Sequence, residues 1–538
     1  MADSQDRLTA MTKLTESCKM TITEEQVQLG AAAEAAGRPA LIERFEIEEL
    51  YGYRTLTLSS TYAATVLIAK NGSGKTTLLA ALNAFLRREF HRLTDIQFSK
   101  ITCKLRGLNE ILELDKEALT PLSQVDPNSE LSAFAQRFGI DPVDFSDYLL
   151  GDYEKVRNQI VIEPSSSDIF YTVYQKMSYN RMEARKICDR LLASRRKDLP
   201  FLSNLSDKIS IALNNVEIVY LPTYRRIELS ISNKESRPRD PSRKEASIQS
   251  KLGLPRRALF SSDIYFGLGD ITSRLAELNN KVQSASNIGY REISANIISE
   301  LVDGTFERED LRESQRPDKE SLNVFFSRLR DKENRRYSHY DDVIIPDIDK
   351  IYNDGGSSEE VNKFLQYFLG KLNKVVDATR DTEKMVEEFV SNCNSYLQED
   401  DGQLLENSLH GPSSIPDSKY LHLDKRTLQV RVRSLIRNRD VSVDALSSGE
   451  KQMISLFARL YLYEGEKIVL IDEPELSLSL EWQRRILKDI LVAPSCSQLI
   501  AITHSPFVFD NELEPYAKSI EIAFKSSPES NDEEYNDE

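Results

Sequence analysis

Two groups of residues, far apart in the chain, have the types and spacing that phosphate chemistry requires. The first is AKNGSGKT at Ala69–Thr76, which follows an apolar run and precedes the apolar stretch TLLAALNAF. This order of strand, glycine-rich turn and helix is the context of a phosphate-binding loop. Gly72 and Gly74 allow the backbone angles that gather N–H groups around an anion, and the helix points its positive end at the same place.

The side chains of this loop divide between the phosphates and a metal ion. Lys75 is expected to contact the β- and γ-phosphates of a bound nucleotide, and the Thr76 hydroxyl to complete the coordination shell of Mg²⁺. The remaining contacts with the nucleotide are expected from Asn71, Gly72, Ser73, Gly74 and Thr77. A short motif of this kind also arises by chance, so its meaning depends on what the rest of the chain supplies.

The second group begins with LSSGEKQ at Leu446–Gln452, which opens an apolar helix. Ser447, together with the backbone amides around Ser448, Gly449 and Glu450, is expected at the N-terminus of that helix. A helix N-terminus is a position suited to an anion, because its N–H groups and its dipole both favour negative charge. These residues therefore form a second candidate contact with a phosphate group.

A continuous apolar strand follows, KIVLID, and it ends in two acids, Asp472 and Glu473. Ligands bind parallel sheets at the carboxyl ends of the strands. Asp472 is therefore expected to hold the water shell of Mg²⁺. Glu473 is expected to orient and deprotonate the attacking water, a role worth about 10²–10⁴-fold in rate. His504 follows the apolar strand QLIAIT; a lone histidine is usually structural, but its place after a core strand favours a role at the phosphates.

The composition indicates a soluble protein of about two to four domains. Of the 538 residues, 40% are hydrophobic and 29% charged, and no apolar run reaches the roughly 18 residues of a membrane span. The N-terminus shows no secretion signal, which predicts a cytoplasmic protein. The cysteines are scattered and predict neither a disulfide framework nor a zinc site: Cys18, Cys103, Cys188, Cys393 and Cys496.

The net charge of −16 argues against nucleic-acid binding over the whole surface. The segment 232–257 is rich in Lys, Arg, Ser and Pro. It is interpreted as a solvated loop or, alternatively, as an arm that contacts nucleic acid or a partner. Residues 526–538 form an acidic tail that we expect to be disordered.

The hydrophobic pattern divides the chain into five segments: a leader and helix at 1–40, the N-terminal half of an α/β head at 41–105, a mainly helical insertion at 106–415, the C-terminal half of the head at 416–525, and the acidic tail. A strand at 216–221 is expected to return to the head. Apolar residues recur at helical spacing after Ile271 and again after Val361, which predicts two long helices. These helices are expected to pair as an antiparallel arm over about 268–400, or else to form a compact lobe.

Together and in this order, the motifs resemble the ABC-type ATPases, and within them the RecF/SMC/OLD branch. The resemblance covers roughly 40–100 and 415–524. It implies that Lys75 and Thr76 belong to a Walker A site, Leu446–Gln452 to the signature, Asp472 and Glu473 to Walker B, and that His504 is the switch histidine. It also implies two heads enclosing two ATP molecules, with Ser447 of one chain at the γ-phosphate bound by the other, in a head-to-head dimer or a higher even oligomer.

Other positions follow the family pattern less closely. Ser448 and Glu450 depart from the commonest signature, as they often do in this branch, and Ser479 stands where many OLD-like proteins carry histidine. The details of the dimer contact therefore stay open. Gln97 is a candidate for the Q-loop glutamine, and Arg54 for a contact with adenine.

Within the branch, the chain is most similar to the PtuA-type ATPases of Septu and retron anti-phage systems, through IVYLPTYRRIE at 218–228 and ELYGYRTLTL at 49–58. This resemblance implies an HNH nuclease partner of the PtuB type and, in retron systems, a reverse transcriptase with its RNA-linked DNA. Few residues follow His504, so we expect no nuclease domain in this chain. The expected function is an ATP-hydrolysing regulatory subunit that controls a separate nuclease through ATP-dependent head dimerisation.

Two other functions stay open. One is a RecF/SMC-like ATPase of DNA repair or chromosome organisation, which the net charge of −16 disfavours. The other is a scaffold that binds ATP without hydrolysing it, which the presence of Glu473 disfavours.

Overall fold

The computed structural model describes residues 30–70, 72–153, 169–214, 216–222, 268–303, 316–329, 348–352, 359–398, 419–435, 438–476 and 478–525. The chain divides into two compact units, one from Met1–Ile264 and Gly465–Glu538 and the other from Tyr265–Glu464. Asn71, the basic segment 232–257, the acidic tail and most of the leader lie outside the described residues.

The described strands, numbered in chain order, are β1 (Ile42–Leu50), β2 (Arg54–Ser59), β3 (Ala64–Ile68), β4 (Lys100–Leu105), β5 (Leu112–Asp115), β6 (Glu217–Leu221), β7 (Lys419–Asp424), β8 (Gln429–Ser434), β9 (Lys467–Asp472), β10 (Cys496–Thr503), β11 (Ala517–Ser519) and β12 (Glu521–Phe524). A parallel sheet of the first unit has the order β11-β3-β10-β9-β6. Every residue of β9 is buried, as expected for a strand covered on both faces.

After a helical segment at 30–37, the described α-helices are α1 (Lys75–Leu86), α2 (Glu130–Phe138), α3 (Pro142–Tyr148), α4 (Ile169–Lys176), α5 (Arg181–Asp198), α6 (Pro200–Leu213), α7 (Leu268–Val302), α8 (Lys319–Leu329), α9 (Ile348–Tyr352), α10 (Glu359–Leu397), α11 (Ser448–Tyr461) and α12 (Leu480–Val492). Short 3-10 and π turns connect several of them. The first unit contains α1–α6 and α12, and the second contains α7–α11.

Helix α1 lies in the core of the first unit because it is apolar nearly all round. It shares one hydrophobic cluster with the parallel sheet and with an antiparallel sheet of order β12-β2-β1-β4-β5. Phe85 of α1 meets Phe45 of β1 edge to face, with 5.9 Å between ring centroids. The alternating pattern of β1 buries Phe45 and Ile47 on this side. Burial of α1 fixes the loop that precedes it.

Helices α2–α5 pack around a hydrophobic cluster of their own, which includes Phe145 and Phe170. The buried Arg195 of α5 connects this cluster to the 3-10 turn Lys116–Ser123. Its guanidinium donates to Ser146 Oγ over 2.9 Å and to the Pro121 carbonyl over 2.8 Å. Although these residues were expected in the insertion, they group with the head in the first unit.

The second unit is built on α7 and α10, which lie antiparallel. Gly289 of α7 faces Val375 of α10. Farther along α7, Glu300 accepts hydrogen bonds from Tyr367 (2.8 Å) and Lys371 (2.9 Å), which come earlier in α10. The predicted apolar stripe is buried in part, at Leu278, Val282, Leu372, Val386 and Phe389 among others.

The segment between the two long helices contains α8 and α9, and both pack on the long helices. Leu322, Phe325 and Ile348 share a hydrophobic cluster with Leu372 of α10. Arg328 of α8, also buried, forms an ion pair with Glu383 of α10 at 2.5 Å. The described part of this segment therefore makes the contacts of a compact lobe.

Replacing Gly289 by alanine is expected to destabilise the second unit. A Cβ at this position would lie 2.6 Å from Val375 Cγ1, well inside van der Waals contact. Overpacking costs about 1–3 kcal/mol and the better helix former returns at most about 1 kcal/mol, so the net effect is a loss. Thermal unfolding measures it, and adding Val375→Ala to the same chain should restore part of the loss. Equal Tm values for the wild type and Gly289→Ala would show that the contact has no energetic weight.

The hairpin β7–β8 and helix α11 group with the long helices in the second unit. Asn394 of α10 exchanges two hydrogen bonds with the main chain of Leu421, at 2.9 and 2.7 Å. Tyr396 packs on Phe457 of α11, with 5.4 Å between ring centroids. The unit boundary after Glu464 thus differs from the predicted boundary at 415/416, because local patterns do not reveal which helix a hairpin packs against.

The predicted fold class, an α/β head with a large and mainly helical insertion, is confirmed by these sheets and helices. Within the part of the chain that the structure describes, no helix combines the length and apolar character needed to span a bilayer.

Candidate functional site

The glycine-rich loop joins the end of β3 to the start of α1. Gly72 (φ 77°) and Gly74 (φ 94°) both have left-handed backbone conformations. A Cβ at Gly74 would lie 2.9 Å from Leu56 Cδ1, so glycine alone fits there without a shift. The Arg54 guanidinium donates to the Gly72 carbonyl over 2.8 Å and holds the loop from the side. The loop therefore turns tightly into the positive end of α1.

Thr76, in the first turn of α1, contacts the acid at the end of β9. Its hydroxyl donates to Asp472 Oδ2 over 2.6 Å, and Asp472 is fully buried. Hydroxyl and carboxylate oxygens are ligands that Mg²⁺ prefers, and this ion usually keeps several waters as well. The donor set therefore fits a magnesium ion held by Thr76 and by Asp472, directly or through water.

Lys75 points into the same place, and only 6% of the residue is exposed. Its ammonium donates to Glu473 Oε1 over 2.6 Å and also contacts His504 Nε2. His504 Nε2 lies 3.3 Å from the same carboxylate oxygen. The side chains of Lys75, Glu473 and His504 therefore meet around one point. They come from the start of α1, the end of β9 and the end of β10.

Glu473 has the backbone and the surroundings of a functional acid. Its φ of 53° is left-handed, which is strained for a residue with a Cβ. The Glu473 N–H donates to the Ile502 carbonyl over 2.8 Å and holds this conformation. Burial raises the pKa of the Glu473 carboxyl to about 7; Glu475 acts in the same direction and Lys75 opposes it. A carboxyl with a pKa near neutrality is well matched to accept a proton from water.

Glu475 is a residue of the site for which the sequence analysis predicted no contacts. Its carboxylate accepts hydrogen bonds from the Thr503 hydroxyl (2.8 Å) and from the backbone N–H groups of His504 (3.0 Å) and Ser505 (3.1 Å). The three partners lie 28 to 30 residues further along the chain, beyond the reach of any local pattern. The sequence signal that could have indicated Glu475 is its place as the third acid in the run DEPE.

The predicted signature residues lie in the second unit, at the N-terminus of α11. Ser447 is the N-cap: its Oγ accepts from the Glu450 N–H over 3.2 Å, and the Glu450 carboxylate accepts from the Ser447 N–H. This capping box leaves Ser447 exposed at the helix end, with Ser448 half-buried and Gly449 buried beside it. Within one chain these residues belong to a different unit from Lys75.

A second group of side chains lies beside the glycine-rich loop. The Arg54 guanidinium stands over the rings of Tyr51 and Tyr53, at 5.3 and 5.2 Å from their centroids. The Tyr51 hydroxyl is 3.3 Å from Thr77 Oγ1. The Gln97 carbonyl accepts from the Tyr51 N–H over 2.8 Å, which places Gln97 on the same surface. The roles of Arg54 at adenine and of Gln97 in a Q-loop stay predictions.

Comparison with known proteins shows the family to which the chain belongs. The AAA ATPase domain family (AAA_15) matches residues 41–509, from the strand β1 before the glycine-rich loop to beyond His504. Among solved structures, the chain is similar to an Smc head domain from Pyrococcus furiosus with an extended coiled coil, bound to the C-terminal domain of ScpA. The identity is 11%, the TM-score is 0.28, and 90% of this chain and 96% of that chain are covered. A TM-score of 0.28 does not establish a shared fold. The family match, in contrast, spans both halves of the site. The chain therefore belongs to the AAA ATPase domain family.

Proposed function

We propose that this protein binds ATP with Mg²⁺ and hydrolyses it to ADP and phosphate. The observation that carries the proposal is the convergence of Lys75, Thr76, Asp472, Glu473 and His504 at the carboxyl edge of the parallel sheet. A cation, a pair of hard oxygen ligands and an acid of raised pKa are the groups that phosphoryl transfer to water requires.

In the proposed reaction Lys75 exchanges Glu473 and His504 for oxygens of the β- and γ-phosphates. This exchange frees the Glu473 carboxylate to orient water and to accept its proton. Thr76 and Asp472 would hold Mg²⁺, which would supply charge that offsets the negative phosphates. His504, 3.3 Å from Glu473, would donate from its ring N–H to the γ-phosphate.

The proposed site is completed by a second copy of the chain. Ser447 is exposed at the N-terminus of α11, and its Oγ, while accepting from the Glu450 N–H, keeps its own proton for donation. A helix of 14 residues directs its positive end to the same place. Both features suit a γ-phosphate bound by the partner head, so ATP would hold two heads together.

At a finer level, we place the chain in the RecF/SMC/OLD branch, as a subunit that controls a separate HNH nuclease of the PtuB type in anti-phage defence. The segments IVYLPTYRRIE and ELYGYRTLTL support this assignment by resemblance. The strand β6 within the first of them lies beside β9, next to the proposed Walker B acids. ATP-dependent pairing of the heads would then switch the nuclease, with a reverse transcriptase and its RNA-linked DNA as further partners in a retron system.

The experiment that tests this is to co-purify the protein with the HNH protein encoded beside it and to measure ATP hydrolysis and DNA cleavage together. Wild-type protein is expected to hydrolyse ATP and to hold cleavage in check. Variants at Lys75 and at Glu473 are expected to lose hydrolysis and to change nuclease control. Normal nuclease behaviour in both variants would contradict the regulatory role while leaving the ATPase assignment intact.

A salt-titrated DNA-binding assay separates this function from a DNA-repair or chromosome-organising ATPase. A protein that neutralises several phosphates shows a steep fall of affinity with salt concentration. Strong, ATP-stimulated DNA binding by the purified protein alone would favour the repair function.

A further inference from the structure

We infer that Glu475 is a positioning residue for ATP hydrolysis, which holds the turn Thr503–Ser505 so that the His504 ring faces Lys75 and Glu473. The inference rests on the ATPase function proposed above. It assigns to Glu475 a task different from that of its neighbour Glu473: Glu475 acts through the backbone of the turn that carries His504, and its carboxyl also hydrogen-bonds the Glu473 carboxyl.

The contacts of Glu475 are directed at the backbone of the turn. One oxygen, Oε1, accepts from the N–H groups of both His504 and Ser505, at 3.0 and 3.1 Å, and Oε2 accepts from the Thr503 hydroxyl at 2.8 Å. Hydrogen bonds to a carboxylate are about twice as strong as those between neutral groups. Three such bonds on consecutive residues restrain the backbone from which the His504 ring projects.

Gln483 of α12 fastens the other side of the same turn. Its Nε2 donates to the Leu478 carbonyl over 3.1 Å, and its Oε1 accepts from the Ser505 hydroxyl over 2.9 Å. The segment after β9 and the turn after β10 are therefore tied together at two points. Because Glu473 lies in the first segment and His504 in the second, these ties set the 3.3 Å between the Glu473 carboxylate and His504 Nε2.

The expected effect of losing Glu475 is on the rate of the chemical step. A displacement of about 1 Å at a catalytic group costs about 10²-fold in rate. The affinity for ATP depends on the glycine-rich loop and Lys75, which Glu475 does not contact. Loss of positioning should therefore lower kcat and leave the Kd of ATP nearly unchanged.

The test compares Glu475→Ala with Glu475→Gln and with the control Glu481→Ala. We expect kcat of Glu475→Ala to fall about 10- to 100-fold with a Kd for ATP within about threefold of wild type. Glu475→Gln keeps an oxygen that accepts from both N–H groups and should retain most of kcat. Glu481 is exposed on α12, so its removal makes the same charge change without touching the turn. Thr503→Val removes one bond and should give a smaller loss of the same kind.

A double-mutant cycle with His504→Ala shows whether Glu475 acts through His504. In the His504→Ala background, Glu475→Ala should cause a much smaller loss of kcat than it causes in the wild type. Independent, multiplicative losses would overturn the inference, as would a wild-type kcat in Glu475→Ala. A parallel loss of ATP binding and of folded protein in all the Glu475 variants would show a structural role instead.

Hydrogen exchange without nucleotide separates this inference from the ATPase proposal. The amides of His504 and Ser505 should exchange faster in Glu475→Ala than in wild type or in Glu475→Gln. Protected amides in Glu475→Ala would overturn the positioning role whatever the ATPase activity. A wild-type protein that binds ATP without hydrolysing it would overturn the proposed function, and the exchange rates would still decide whether Glu475 holds the turn.

Discussion

Glu473→Gln is expected to lower the rate of ATP hydrolysis by about 10²–10⁴-fold while ATP still binds. Glutamine has nearly the shape of the glutamate but cannot accept the proton of the attacking water. Its oxygen can still accept from Lys75, which donates to Glu473 Oε1 over 2.6 Å in the wild type. The variant should therefore accumulate in the ATP-bound state. Phosphate release under single-turnover conditions measures the rate, and equilibrium binding measures the affinity.

The paired heads supply a second readout of the same change. If ATP holds two heads together, Glu473→Gln with ATP and Mg²⁺ should elute as a larger species than the same protein with ADP. Glu514→Gln is a matched control, because Glu514 is exposed in the same unit and the change of charge is identical. A Glu473→Gln protein that turns over at the wild-type rate would assign the general base to another group.

Lys75→Ala is expected to weaken ATP binding by about 10- to 150-fold, since a hydrogen bond to a charged group contributes about 1.5–3 kcal/mol. The wild type should be stabilised by ATP, by about 2.7 kcal/mol at a ligand concentration of 100 Kd. Lys75→Ala should show little of this stabilisation at the same concentration. Lys75 is also the cation that opposes the raised pKa of Glu473, so its removal should raise that pKa further above about 7.

The neighbouring Lys70 offers a control in the same loop. It is exposed, whereas Lys75 is 6% exposed, and Lys70→Ala removes the same charge. Thermal unfolding with and without ATP, at fixed protein concentration, compares the three proteins. An ATP-dependent shift in Lys75→Ala equal to that of the wild type would mean that the nucleotide binds elsewhere.

The order of the residues around the site could be predicted because each part is local. A strand, a turn with two glycines and an apolar helix follow one another within about one βα unit, and the structure has β3, the loop and α1 in that order. KIVLID is buried along its whole length, as its unbroken apolar pattern indicates. Ser447 and Glu450 form a capping box because the two residues are three apart on the same helix turn.

The limits of sequence reasoning are clearest at Glu475 and at the boundary between the units. Glu475 meets Thr503 across 28 residues of chain, through a helix whose length and direction decide the contact. The hairpin β7–β8 and α11 pack on α10, although their strand-rich pattern resembles the head. Tertiary packing decides which residues meet at such sequence separations. The local hydrophobic pattern of the sequence does not reveal this packing.

By itself, the sequence determined which residue types stand at the ends of the core strands and at the starts of the helices. It thereby determined the kind of chemistry: phosphate binding at Lys75 and Thr76, and acids at Asp472 and Glu473. The tertiary structure alone decided that these residues meet. In the parallel sheet β10 lies between β3 and β9, with Thr503 opposite Ile68 and Ile502 opposite Asp472. This register brings His504, Lys75 and Glu473 to one edge, because side chains at the ends of neighbouring parallel strands point into the same space.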